Sequence, residues 1–342
     1  MSAGQLVSAL VFGGLFHAVG IPAGWLSGAV VGVIAWGAIL PAGLAARARV
    51  PKPLVDGAMI LAGVVMGAGI TPEALEAIGA YPFSLFALTL AVVAVTLACA
   101  AFLMRVYGWS RDDAILASLP GALTAVLAVS IDRKADVGRI AIVQSFRLLV
   151  LMAILPFLVS LTTDGDPRAL VGSGQAIATP GAFALMLAAA LVVGLLFERL
   201  RVAAPLLLGA TLASAFLHVT EIAPGVVPPE IATAAFVVIG AFIGERFTTL
   251  DRGGFVPLFG AALGVFVIGL VVSAAFALLT AVVAGVGTGE ALVAFAPGGL
   301  EAMVVLALVL GVDPLYVGVH HTIRFLGIGF ALPILFRSNQ SP

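Results

Sequence analysis

Two arginines in apolar surroundings have the clearest potential for chemistry in this sequence. Arg324 lies eleven residues after Asp313 and thirteen before Arg337, so on a helix that rises about 1.5 Å per residue it is far from both ends. An ionised side chain at such depth in a membrane costs several kcal/mol unless it is paired or hydrated. A guanidinium suits carboxylate, sulfonate or phosphate oxygens. Arg147 and Arg324 therefore predict anion binding, and the alternative is a structural arginine that caps helix carbonyls or pairs with Glu301.

Proline and glycine interrupt two apolar segments, at Pro120-Gly121 and at Pro297-Gly298-Gly299. Proline lacks the amide donor and glycine weakens a helix, so each segment is predicted to be helix, break, helix. Backbone freed at membrane depth is tolerated only in a protein interior or beside a watery cavity. The restarting helix presents free N–H groups and its positive dipole end, which favour an anion. The alternative is that the breaks only relieve packing.

Several residues near these features could serve an anion or a coupling ion. Glu301 lies in the first turn after the second break, where it could bind Na⁺ or a proton or act as the permanent counter-ion of Arg324. His320 and His321 lie one turn from Arg324 and could relay protons or be core histidines held by hydrogen bonds. Neutral donors complete the candidate set: Thr124, Gln144, Ser145 and Thr322.

The composition requires that these groups be positioned by membrane helices. Of 342 residues, 62% are hydrophobic and 10% are charged, against about 25% charged in soluble proteins. This is enough apolar sequence for about ten spanning helices, which predicts an all-α polytopic membrane protein. A net charge of -1 without a basic cluster excludes a nucleic-acid-binding domain. The single cysteine, Cys99, excludes a disulfide framework.

The chain also resembles itself at an offset of 177 residues. Pro120–Thr124 corresponds to Pro297–Glu301, and Gln144–Arg147 corresponds to His321–Arg324. Many transporters consist of two related halves. We therefore predict one membrane repeat over residues 1–161, a linker over 162–179 and a second repeat over 180–337.

Positive charges predict that the two repeats are inverted. Each repeat has six apolar segments, and if the fifth is re-entrant, thirteen of the sixteen Lys and Arg residues lie on one side, as expected for the cytoplasmic side. These thirteen are Arg47, Arg49, Lys52, Arg105, Arg111, Arg133, Lys134, Arg139, Arg199, Arg201, Arg246, Arg252 and Arg337. If the fifth segment crossed, Arg133 would face the side opposite Arg111. The prediction is five spanning helices plus one re-entrant segment per repeat, in the cytoplasmic (inner) membrane, with both termini cytoplasmic.

Three motifs resemble the membrane AbrB family, which is distinct from the small DNA-binding protein of the same name. They are Pro22-Ala23-Gly24-Trp25-Leu26 followed by Gly28; Pro297 to Glu301; and His320-His321 with Arg324, Pro333 and Arg337. The resemblance covers nearly the whole chain and implies a duplicated membrane domain. Members are sometimes labelled regulators of gene expression or putative ammonia monooxygenases. The first repeat has Thr124, Val143 and Gln144 in place of the acidic and histidine residues, so an ion-coupling role rests on the second repeat.

Together these features predict a secondary transporter that carries a small organic anion by alternating access, coupled to H⁺ or Na⁺. The alternative is a membrane-embedded sensor that regulates gene expression with a transporter fold. An oxygenase would need a cluster of metal ligands, and adjacent histidines project about 100° apart on a helix, so we expect no enzyme and no cofactor other than the coupling ion. A channel would need a continuous polar lining. The expected partners are the bilayer, a small anion and, as a candidate, a second copy of the chain.

Overall fold

The protein is all-α in a computed structural model that describes residues 2–21, 23–40, 49–70, 81–121, 123–161, 176–200, 202, 204–248 and 252–336. Seven helices belong to the first half: α1 Ser2–Ala18, α2 Gly24–Ile39, α3 Lys52–Ala68, α4 Tyr81–Tyr107, α5 Arg111–Ser118, α6 Leu123–Asp132 and α7 Val137–Ser160. Seven belong to the second: α8 Pro180–Arg199, α9 Pro205–Val219, α10 Pro229–Thr248, α11 Arg252–Ala284, α12 Thr288–Phe295, α13 Leu300–Val309 and α14 Pro314–Leu335. The only β pairing in these ranges is one isolated bridge, between Ile177 and Val226. Residues 162–175 of the predicted linker lie outside the described residues.

Long apolar helices confirm the membrane class. In the described part of the chain, five helices are long and apolar enough to cross a bilayer, namely α4, α7, α8, α11 and α14. The other five predicted spans coincide with α1, α2, α3, α9 and α10, which have 15 to 20 residues. A polytopic helical membrane protein is therefore confirmed, whereas the crossing of the shorter helices stays a prediction.

The helix bounds follow the 177-residue offset. Helices α5 and α12 have eight residues each, and α6 and α13 have ten each. At about 1.5 Å per residue, each short helix is about 12 to 15 Å long, half of a hydrocarbon core of about 30 Å. The helices end before Pro120 and Pro297 and restart after Gly121 and Gly299, which confirms the predicted breaks.

The chain divides into two compact units. The first consists of Met1–Gly79, Ala153–Thr249 and Val304–Tyr316; the second, here called the site unit, consists of Ala80–Met152, Leu250–Met303 and Val317–Pro342. Each unit takes segments from both halves of the sequence. The compact units are therefore not the two sequence repeats, whose boundaries stay a prediction.

Glycines bring helices close together within the first unit. A Cβ atom added to Gly240 would lie 2.6 Å from the carbonyl oxygen of Leu26, and one added to Gly244 would lie 2.8 Å from that of Val30, so α10 packs directly on the backbone of α2. Gly63 makes the equivalent close approach to α9. Small residues four apart allow such contacts in membrane helices.

Charged contacts within the site unit show that the broken segment α5–α6 is a hairpin. Arg133, just after α6, forms a salt bridge of 2.9 Å with Asp112 in the first turn of α5. The backbone N–H of Asp136 donates to Asp113 Oδ1 at 2.9 Å. The start of α5 and the end of α6 are therefore at the same end, as the re-entrant interpretation requires and the crossing interpretation forbids.

The last helix ends beside this hairpin. The guanidinium of Arg133 lies over the ring of Phe336, 5.8 Å from its centroid. Phe336 directly precedes Arg337, so the C-terminal end of α14 lies beside the end of α6, as the inverted arrangement requires. The side of the membrane on which both ends lie stays a prediction.

Candidate functional site

The site unit contains every residue that the sequence singled out for binding or coupling. These are Pro120, Gly121, Thr124, Gln144, Ser145, Arg147, Pro297, Gly298, Gly299, Glu301, His320, His321, Thr322 and Arg324. Thr124 lies in the first turn of α6, and its side chain is outside the described part of the structure. Residues up to 204 positions apart in sequence thus belong to one compact body.

The two breaks meet at a pair of glycines. Gly121 adopts φ 92°, in the left-handed region that glycine tolerates best. A Cβ atom added there would lie 3.0 Å from Gly298 O and 3.0 Å from Arg324 Nη2. Any other residue at position 121 would therefore be strained and would press on the opposite break and on the arginine.

Arg324 binds the backbone freed by the second break. Its Nη1 donates to Ala296 O and its Nη2 to Gly298 O, both at 2.6 Å. Nη2 also lies 2.6 Å from His321 Nδ1, and the side chain is 5% exposed. Carbonyls left without an intrahelical partner at a helix end need such donors. The structural interpretation of Arg324, capping of helix carbonyls, is what these contacts describe.

The bonds of His321 assign its proton. Because a guanidinium only donates, Nδ1 must accept from Arg324, and the proton therefore lies on Nε2. Nε2 is 3.0 Å from Val293 O, an acceptor. Both ring nitrogens are thus occupied, and protonation of Nδ1 would break the bond to Arg324.

Arg147 makes the equivalent contact but is otherwise unpartnered. Its Nη2 donates to Leu119 O at 3.2 Å, and Leu119 corresponds to Ala296 at the 177-residue offset. Among the described residues, Nε and Nη1 have no hydrogen-bond partner, although the side chain is 1% exposed. A buried charge without partners is costly, so the three N–H groups on these nitrogens are suited to an acceptor brought from outside.

Arg324 and Cys99 lie near Arg147. Arg324 is near enough for the two guanidiniums to repel each other, so an anion close to both would be stabilised. The thiol of Cys99 also interacts electrostatically with Arg147 and donates to Val265 O at 3.5 Å. Cys99 could not be assigned to the site from the sequence, because it lies 48 residues from Arg147, in another helix.

The residue three positions before each arginine supports the same break. Gln144 Nε2 donates to Leu116 O at 2.7 Å, and His321 contacts Val293 O in the corresponding position. Both neighbouring helices therefore support the carbonyls of the short helix that precedes the break. The neutral donor of Gln144 binds backbone in this structure, and its predicted role toward an anion stays a prediction.

His320 is buried against the start of α4. Its Nε2 lies 2.8 Å from Ser84 Oγ, and its ring stands edge-on to Tyr81, with centroids 5.9 Å apart. Phe295 contacts the same ring, at 6.1 Å. Ser84 and Tyr81 could not be assigned to the site from the sequence, because no pattern connects Ser84, 236 positions before His320, or its neighbour Tyr81 to that histidine.

The remaining candidates lie around this core. Glu301 is half-buried in the first turn of α13, where the helix dipole favours a carboxylate. Ser145 is buried on α7, and Thr322 is half-buried on α14. Within the described ranges, no three His, Cys, Asp or Glu side chains are grouped closely enough to hold a metal ion.

Comparison with known proteins agrees with this architecture. The sequence model of a family described as transition state regulatory protein AbrB matches residues 25–340. The chain is also 24% identical to the protein named Uncharacterized protein YhjN of Bacillus subtilis (strain 168), over 95% of this chain and 89% of that protein. Because the match covers the short broken helices, the crossing glycines and both arginines, the chain belongs to the AbrB family of membrane proteins.

Proposed function

We propose that the protein is a secondary active transporter that moves a small organic anion by alternating access, coupled to H⁺ or Na⁺. The observation that carries this proposal is the buried guanidinium of Arg147, of which Nε and Nη1 have no acceptor in the described residues. It lies in a unit built around two broken helices, the arrangement that transporters use for sites near the bilayer midplane. An anion at Arg147 would satisfy a charge that is otherwise costly to bury.

Alternating access also accounts for the burial of this group. Arg147 is 1% exposed, so an anion reaches it only in a conformation more open than the one described here. A transporter must bury its substrate in part of its cycle, whereas a channel lined by these residues would keep the arginine wet. The breaks at Gly121 and Gly298 supply the non-helical backbone that such a site requires.

For the coupling ion, we propose Glu301 as the principal residue. Its carboxylate is half-buried, close in sequence to the break and to Gly298. His320 and His321 are the further candidates, but both ring nitrogens of His321 are engaged by Arg324 and Val293. A proton taken by His321 would therefore release Arg324, whereas Glu301 could take an ion without breaking that contact.

The direct test is transport by the full-length protein in proteoliposomes. We expect saturable uptake of a labelled monocarboxylate or sulfonate when a pH or Na⁺ gradient is imposed. Glu301→Gln should uncouple uptake from that gradient, and Arg147→Met should abolish uptake. Arg139→Gln is the matched control, since Arg139 lies on the same helix but is exposed and paired with Asp136. Absence of saturable uptake under every gradient would contradict the proposal.

The family description favours a second candidate function. A transition state regulatory protein would use the same anion site as a sensor, with the membrane unit reporting ligand occupancy to a partner. Cells that lack the gene would then lose a transcriptional response, and Arg147→Met would reproduce the loss. Anion binding without any uptake by the reconstituted protein would favour this sensor over the transporter.

A further inference from the structure

We infer that only one of the two equivalent arginines, Arg147, is the anion ligand, and that its ligand carries a single negative head group on a small apolar body. Arg324 is a positioning residue that holds the crossing of the two breaks. This inference rests on the anion site of the proposed function and defines its ligand class.

The difference between the arginines lies in their hydrogen bonds. Arg324 donates from both terminal nitrogens to three acceptors, Ala296 O, Gly298 O and His321 Nδ1. Arg147 has one acceptor among the described residues, Leu119 O, and that bond is the longer, at 3.2 Å against 2.6 Å. The terminal nitrogens of Arg324 carry four N–H groups, of which three are engaged, so an anion that formed two hydrogen bonds there would displace an existing partner. An anion at Arg147 displaces none from Nε or Nη1.

The open donors favour a monoanion. Arg147 is the buried cation of the site unit whose Nε and Nη1 have no acceptor in the described residues, whereas the terminal nitrogens of Arg324 already bind backbone and His321. A second carboxylate on the ligand would therefore compete for donors that are already engaged, and burying it without its full set of hydrogen bonds is costly. One carboxylate or sulfonate is matched by one guanidinium.

The surroundings of Arg147 favour an apolar body. Cys99, which interacts with Arg147, is buried and bonded to Val265 O. Beside it is Gly269, where an added Cβ atom would lie 3.7 Å from Val95 Cγ1, 3.9 Å from Cys99 Sγ and 4.0 Å from Pro297 Cγ. These are ordinary van der Waals distances, so a methyl group fits there and would contact the valine, the thiol and the proline ring.

Hydroxyl groups close in sequence to Cys99 and Leu119 are already occupied as donors by their own helices. Thr96 on α4 donates to Val92 O at 2.7 Å, and Ser118 at the end of α5 donates to Ala114 O at 2.6 Å. With these donors engaged, the guanidinium is the group that recognises the ligand. A carboxylate or sulfonate on an aliphatic chain meets this arrangement better than a sugar acid or an amino acid.

The test is ligand binding by the purified full-length protein, measured by calorimetry and by the shift in melting temperature. The probes are butanoate and propane-1-sulfonate, with butanamide as the neutral isostere and succinate as the dianion. Both monoanions should bind with affinities within about tenfold of each other, and butanamide and succinate should bind at least about tenfold more weakly. Equal or tighter binding of succinate, or no binding of either monoanion, would overturn the ligand class.

Matched substitutions separate the two arginines. Arg147→Met should lower butanoate affinity by about 10- to 100-fold while raising the melting temperature of the ligand-free protein, because it removes an unpartnered buried charge. Arg147→Lys keeps the charge and should retain part of the affinity. Arg324→Lys should lower the melting temperature and leave the affinity within about threefold in the protein that folds.

The results of these binding experiments can be distinguished from the results of the transport test. Unchanged butanoate affinity in Arg147→Met, or an equal loss of affinity in folded Arg324→Lys, would overturn the assignment even if the wild-type protein transports. Conversely, if the binding pattern is as expected and proteoliposomes take up no butanoate, the inference stands and the transporter proposal fails. Gly269→Ala, which fits sterically, should weaken hexanoate more than acetate, and equal effects would argue against the apolar body.

Discussion

The two halves of the sequence place equivalent hydrogen-bond donors beside a broken helix, but they differ in how many of the arginine's N–H groups have an acceptor. In each half, a residue on the long helix donates to the carbonyl 28 positions earlier, and an arginine one turn later does the same. In the second half the first of these residues is His321, whose Nδ1 accepts from Arg324. In the first half it is Gln144, and Arg147 keeps Nε and Nη1 without a partner in the described structure.

This difference shows how two copies of one arrangement can take different roles, with one arginine stabilising the fold and the other free to bind a ligand. A guanidinium with both terminal nitrogens engaged fixes the geometry of a break, whereas one with open donors on two nitrogens carries a charge that the fold does not satisfy. Unsatisfied buried groups in native proteins commonly mark function, because a stability-optimised site would not keep them. One residue difference, glutamine against histidine, accompanies the change of role.

The largest expected effect is on stability, from Arg324→Met. This change leaves Ala296 O, Gly298 O and His321 Nδ1 buried without a donor, at about 1 to 3 kcal/mol for each. We expect a loss on the order of 3 kcal/mol or more, seen as a much lower melting temperature in detergent. Arg139→Gln, at an exposed arginine with one surface ion pair, should cost at most about 1 kcal/mol. Equal shifts in the two variants would contradict a locking role for Arg324.

The same substitution at the equivalent arginine, Arg147→Met, should have the opposite effect on stability. Arg147→Met removes a buried charge with one weak acceptor and leaves only Leu119 O unpaired. We expect the ligand-free protein to gain about 1 kcal/mol or more, since relief of the buried charge outweighs one lost hydrogen bond. The measurement is the melting temperature without and with butanoate. A clear loss of stability would show that Arg147 is satisfied in the fold as Arg324 is.

Replacing Gln144 with histidine, and His321 with glutamine, should make the hydrogen bonding of each arginine more like that of the other. Gln144→His offers an Nδ1 acceptor to Arg147, so the melting temperature should rise by the equivalent of about 1 kcal/mol and anion affinity should fall about fivefold. His321→Gln should lower the melting temperature by a similar amount. Shifts of the same sign in both variants would show that the His–Arg contact does not explain the difference between the halves.

The smallest expected effect concerns the two aspartates that begin the long helices. Asp136 accepts from Arg139 N and pairs with the side chain of Arg139, whereas Asp313 accepts from Tyr316 N and Leu315 N. Burial raises the pKa of Asp313 above its usual value, partly offset by these two N–H groups. The fold thus favours the neutral form, and its contribution to stability is full below about pH 4 and is lost as the pH rises through the raised pKa.

Asp313→Asn tests this pH dependence, because asparagine also caps a helix but does not titrate. The melting temperature of the variant relative to wild type should rise with pH across a window that begins near pH 4. Asp136→Asn is the matched control, because it makes the same substitution at the equivalent position of the first half, where the aspartate is exposed rather than half-buried. A constant difference between Asp313→Asn and wild type across this window would contradict the prediction.

Much of the fold could be predicted because it depends on local sequence. Apolar composition determined the membrane class, and Pro120-Gly121 and Pro297-Gly298-Gly299 located the breaks, since proline and glycine act on the backbone wherever they occur. The re-entrant hairpin followed from the placement of Lys and Arg, and the salt bridge between Asp112 and Arg133 agrees with it.

The sequence by itself determined that two arginines lie inside a membrane protein near two broken helices, and that both could meet an anion. Only the tertiary structure decided that they are not equivalent. Their backbone acceptors are carbonyls 26 to 28 positions away. Cys99 lies near Arg147 from another helix, and Gly121 lies near Arg324 from the opposite break. Hydrogen bonding requires a defined distance and direction between donor and acceptor. Residue types alone therefore identify the charges, and folding decides which charge remains unsatisfied.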